Sequence, residues 1–125
     1  MIEQLRALIK RHCTTLGQEL AEIDLSLTRL HCAGDQCQHI AIEAADRAHK
    51  VKGSSGTIGF NEISQSAAKL ERYLKELGNT AGPITQEQEI RIEALFSDLK
   101  DLVEEASPEQ STLYDAQIPA FQNRK

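Results

Sequence analysis

The chain has no tryptophan, and two tyrosines and three phenylalanines leave aromatics at 4% of its 125 residues. A β-sandwich core would draw on aromatics, Val and Thr. Here the core must come from Leu, Ile, Val and Ala, which suits helix-on-helix packing. An excess of positive charge is also missing. Fourteen Lys and Arg against nineteen Asp and Glu give a net charge of −5. That argues against nucleic acid as the main partner, because a phosphate backbone is held by clustered cations. No apolar run approaches the ~20 residues that cross a bilayer, and the N-terminal stretch has no signal-peptide core. A cytoplasmic protein without membrane insertion is expected.

Cysteine is scarce as well. Cys13, Cys32 and Cys37 are odd in number, which does not suit a disulfide framework and fits a reducing compartment. Histidines stand close to each of them (His12, His31 and His39), and a metal or redox site of His31, Cys32, Cys37 and His39 can be drawn across one loop. Its spacing matches neither Cys-x2-Cys nor His-x3-His. The expectation is therefore small buried thiols, surface histidines, and no metal or cofactor.

What the chain does have is helical periodicity. Ile2, Leu5, Ile9, Cys13, Leu16, Leu20, Ile23, Leu27 and Leu30 follow in steps of three and four, which predicts one amphipathic helix over about residues 2–32. Gly34 serves as a stop and Asp35 as the next N-cap. A second helix carries Ile40, Ala44, Ala48, Val51, Ser55 and Ile58 on one stripe and ends near Gly59. Asn61 is placed to cap a third, with Ile63, Ala67, Leu70, Leu74 and Leu77 inward and Gly78 closing it. After Gly82 and Pro83, Thr85 and Gln88 form a capping-box sequence. The fourth helix then buries Ile92, Leu95, Leu99, Leu102 and Val103 before Pro108. Short connections between four such helices predict an all-α, antiparallel up-down-up-down four-helix bundle over residues 1–106. The polar stretch 107–125 reads as a partly ordered tail, with Leu113, Tyr114, Ile118 and Phe121 able to dock on the bundle.

The second helix carries the chemistry. At about 100° per residue, His49 falls more than 100° from the stripe of Ala44, Ala48, Val51 and Ile58, so it points out of the core. Ile42, Ala45, Gly53, Gly56 and Phe60 share its face, with Asp46 and Lys52 beside it. Each helical glycine costs roughly 1 kcal/mol relative to Ala. Two of them on the face of an exposed histidine suggest that something approaches this backbone closely. Lys52, one turn on, puts a cation within reach of a group on the imidazole. Arg47, Lys50, Lys69 and Arg72 read as solvated charges.

From His49 to Phe60 the sequence reads His-Lys-Val-Lys-Gly-Ser-Ser-Gly-Thr-Ile-Gly-Phe. This resembles the phosphorylation motif of histidine-phosphotransfer (HPt) domains, where x-x-Lys-Gly follows the histidine and a glycine ends the helix. The segment from Ala67 to Glu71 is similar to the family's third helix. The resemblance implies that His49 is the phosphoacceptor through Nε2, that Lys52 assists the phosphoryl group, and that Gly53 leaves room for it. It also implies that Glu71 hydrogen-bonds the other imidazole nitrogen. Glu71 borders the stripe of Ala67, Leu70 and Leu74, so it can face the second helix from a half-buried position, and a carboxylate there would fix the tautomer.

No Walker-type sequence, kinase nucleotide signature or Mg²⁺ carboxylate cluster is evident. The resemblance thus implies a phosphocarrier rather than an enzyme, with Mg²⁺ and most catalytic groups supplied by partners. Those partners would be a hybrid sensor histidine kinase and response-regulator receiver domains, docking on Ile42, Ala45, Gly53, Gly56 and Phe60. The chain's start at Met and its lack of a kinase region favour a free-standing protein, expected to be a monomer, over a chemotaxis-kinase substrate domain. The competing reading is a non-phosphorylatable adaptor bundle that binds receiver domains.

Overall fold

The computed structural model describes residues 2–31, 37–80 and 82–111. In it α1 (Ile2–His31), α2 (Cys37–Ile58), α3 (Asn61–Gly78) and α4 (Gln86–Glu105) are followed by a 3-10 turn, Pro108–Gln110. Four helices is the expected architecture, and no strand occurs among the described residues. Gly34 and Asp35, read as stop and cap between the first two helices, lie outside the described residues, as do Cys32 and the tail residues Leu113, Tyr114, Ile118 and Phe121.

The helix faces pack as their periodicity dictates. Ile9, Leu16 and Ile23 of α1 are fully buried, with Val51 of α2, Leu70 and Leu74 of α3 and Leu99 of α4. Burying one such side chain contributes about 1.5–3 kcal/mol. Leu102 and Val103 are only partly buried against this core. The element at the centre is α2, where Ala41, Ala44, Ala45 and Ala48 are all inaccessible to solvent. Small side chains there let two neighbouring helices come close at once.

Paired contacts fix the helix directions. From α2 to α3 they run Gln38–Thr80, His49–Glu71 and Lys52–Ser64; position falls on one helix as it rises on the other. Arg29–Glu43, Arg47–Glu22 and His12–Ser55 show the same for α1 and α2. Both neighbours of α2 therefore run opposite to it. Arg47, expected as a solvated charge, ties α2 to α1 through Glu22 at 2.8 Å.

The turn after α2 is made by glycine. Gly59 has φ +96°, the left-handed region that costs a residue with Cβ about 1–2 kcal/mol. The Phe60 amide donates to the Ser55 carbonyl at 2.8 Å and the Gly59 amide to Gly56 at 3.2 Å, the double bond of a Schellman ending. Helix α3 starts immediately. Phe60 occupies its N-cap without a side-chain cap bond, and Asn61 is already inside the helix. The expected Asn61 cap is thus corrected: two residues of turn leave no room for one. Thr85 does form its capping box with Gln88.

Candidate functional site

His49 and Glu71 meet across the α2–α3 pair. The run Gly-Ser-Ser-Gly-Thr would suit a loop, yet α2 stays helical through it, with Val51 and Ser55 fully buried against its neighbours and the exposed hydroxyls bonded back to the helix. Ser54 donates to the Lys50 carbonyl and Thr57 to that of Gly53, each at 2.9 Å. Helix α2 therefore carries His49, Lys52 and Gly53 on one rigid element.

The His49 side chain is 59% exposed, whereas that of Glu71 is 6% exposed. His49 Nδ1 lies 2.9 Å from Glu71 Oε2. Lys52 Nζ is 3.2 Å from Oε1 of the same carboxylate, and Lys75 Nζ is 2.8 Å from Oε2. Burial pushes the Glu71 carboxyl up, but hydrogen bonds from Lys75, Lys52 and His49, with the charge of Lys52, outweigh it and hold it down at about 2. An ionised carboxylate can only accept hydrogen bonds. Its contact with Nδ1 therefore places a ring proton on Nδ1, so that in the neutral imidazole the lone pair is on Nε2. This arrangement can supply a nitrogen nucleophile and balance the positive charge a ring gains when Nε2 forms a bond.

The sequence reading holds for the outward His49 and for the neighbourhood of Glu71, which is buried rather than half-buried. Lys52 also contacts Glu71, a link the sequence reading did not include. The expected docking face needs correction. Ala45 is 0% and Phe60 4% exposed, so neither can belong to a docking surface: Ala45 is closed in by helix packing, and Phe60 turns inward after Gly59 to stack on His12, ring centroids 5.8 Å apart. The two glycines also differ. A Cβ on Gly53 would meet nothing within 4 Å, whereas one on Gly56 would sit 3.2 Å from Ser64 Oγ. Gly56 serves the approach of α3; Gly53 leaves an open face. Ile42 is partly exposed, though its side chain covers Gly78.

Sequence reasoning missed two residues. Lys75 stands four positions after Glu71, the spacing that brings side chains together on a helix, and that signal was available. His12, expected at the surface, is buried with Nε2 3.3 Å from Ser55 Oγ. It falls three after Ile9 and four before Leu16, on the apolar stripe. Burial lowers its pKa from the ordinary histidine value. His39 is exposed as expected, and Cys37 is buried.

Beside Gly53 an open groove of about 400 Å³ runs between α1 and α2, lined by Leu8, Arg11, Thr15, Gly53 and Thr57 among others. Among the described residues no group of three or more His, Cys, Asp or Glu could hold a metal ion, and no helix is long and apolar enough to cross a membrane.

A family model described as Hpt domain matches residues 1–107. No curated protein and no solved structure matches the chain.

Proposed function

The chain belongs to the Hpt domain family, whose members carry out histidine phosphotransfer in two-component phosphorelays as phosphocarriers rather than enzymes; from this premise we propose that His49 is its phosphoacceptor. The observation that carries the reading is the 2.9 Å contact of Nδ1 with an ionised, buried Glu71, which in the neutral ring puts the proton on Nδ1 and the lone pair on Nε2.

In the proposed step the Nε2 lone pair attacks the phosphorus of an aspartyl phosphate on a receiver domain. The N–P bond forms as the P–O bond to the aspartate breaks, and the aspartate leaves as a carboxylate. The ring keeps its proton on Nδ1 and becomes cationic, facing Glu71. Lys52, held by Glu71 Oε1, stands one turn from His49 and offers a cation to the phosphoryl oxygens. The reverse step returns the group to a receiver aspartate. The receiver brings the Mg²⁺ and the remaining catalytic groups, and a hybrid sensor histidine kinase lies upstream. The partner docks over the open backbone of Gly53 and the adjoining α1–α2 groove, with Leu8 as an exposed apolar contact. The functional unit is residues 1–106, acting as a cytoplasmic monomer.

The test uses His49→Gln with a receiver domain loaded with radiolabelled phosphate. Wild type is expected to gain acid-labile label and the variant to gain none, at unchanged helical circular dichroism. Label on the variant would remove His49 from the role.

A further inference from the structure

Glu71 is approached by three nitrogens, and they do not divide its oxygens evenly. Lys52 takes Oε1 at 3.2 Å, while Lys75 at 2.8 Å and His49 Nδ1 at 2.9 Å converge on Oε2. Two donors on one oxygen share its lone pairs and its charge. Lys75 is the nearer of the two and carries a full charge. Its contact costs little to hold, because it sits one turn along the same helix as Glu71. Nothing in the HPt-like motif on α2 points to this lysine.

We propose that Lys75 is a positioning residue of the site: by competing with His49 for Oε2 it sets how strongly Glu71 holds the imidazole. The role in transfer rests on His49 as phosphoacceptor; the competition itself does not. Without Lys75 the full charge of Oε2 falls on Nδ1–H, and the imidazolium is favoured over the neutral ring. With it, Glu71 still orients the ring but surrenders part of that charge.

The other charges around this stretch of α2 are Asp46, Lys50 and Lys52 on α2 itself, and Glu19 and Glu22 on α1. Glu22 is taken by Arg47, Glu19 interacts with Lys50, and Asp46 acts on Lys75. The contacts on Oε2 come from His49 and Lys75.

The experiment compares wild type, Lys75→Met and Lys75→Arg by NMR titration of the His49 ring and by transfer rate across pH 5.5–8.5. Lys75→Met is expected to raise the titration midpoint. Because Lys75 is largely exposed and screened, transfer below that midpoint should fall by about two- to threefold. Above it, the rate should equal or exceed that of wild type. Lys75→Arg should restore both. An unmoved or lowered midpoint in Lys75→Met would overturn the proposal, as would a rate lost equally at every pH, which marks a merely structural role. If wild type itself takes no label, the phosphoacceptor reading fails, while the titration arm still decides whether Lys75 competes for Oε2.

Discussion

Three glycines in and just after α2 should respond to the same substitution in three different ways. At Gly53 the backbone is helical and an added Cβ meets nothing within 4 Å. Alanine there gains helix propensity and restricts the unfolded chain, so Gly53→Ala should stabilise by about 0.5–1 kcal/mol. In a domain of this size that is a rise in Tm of about 2–5 °C. At Gly56 the new methyl would press on Ser64 Oγ at 3.2 Å, and that hydroxyl is fixed by its 2.8 Å bond to the Lys52 carbonyl. The gain there should be largely cancelled. At Gly59, with φ +96°, alanine is forced into the left-handed region and should destabilise by about 1–2 kcal/mol. Thermal unfolding of the three variants gives the ranking. Phosphotransfer from a loaded receiver domain then shows why glycine occupies position 53. Gly53→Glu, which puts bulk and negative charge one turn from His49, should block transfer in a folded protein. A Gly53→Ala protein less stable than wild type, or a Gly53→Glu protein transferring at the normal rate, would refute the claim that this open face is kept for a partner.

Two predictions concern pH. Glu71 is held down at about 2 in the folded protein against 4.5 ordinarily. The unfolded chain therefore binds the proton first, and the stability Glu71 contributes is present above about pH 4.5 and lost as pH falls toward 2. Glu71→Gln should flatten that limb in urea unfolding series between pH 5 and 2.5; an identical limb would show that Glu71 is not what is titrating. His12 is lowered from 6.5 by burial, so the unfolded state again takes up the proton more readily, and stability should begin to fall as pH drops below 6.5. His12→Leu should abolish the difference in urea midpoint between pH 7.5 and 5.5, and a persisting difference would place its origin elsewhere.

The helices were legible because their apolar steps are regular, and α3 is the clearest case, with every expected inward residue buried. The face of α2 was less so. A helical wheel gives one direction for a residue, but α2 is covered from more than one side, so Ala45 is enclosed although it lies on the same wheel sector as His49. Phe60 left the wheel altogether once Gly59 turned the chain. The site was legible where two residues share a motif on one helix. The link between Lys52 and Glu71 was not, because it depends on the register of α2 against α3, which no single helix encodes. The sequence reading gave Lys52 to the phosphoryl group and Glu71 to the ring as separate tasks; their 3.2 Å contact couples them, and a change in either is felt by both.

The whole charge cluster belongs to one helical hairpin. His49 and Glu71 are 22 positions apart, and only Gly59 and Phe60 separate α2 from α3. Bringing the two together closes a short loop, so little chain entropy is lost before the contacts form, and such local pairing is the kind that forms fast. In the order of synthesis, His49, Lys52, Glu71 and Lys75 are all made before the first residue of α4. The helices α1 and α4 then pack their buried faces, Ile9, Leu16 and Ile23 on one and Leu99 on the other, against a pair whose register sets the aim of the imidazole.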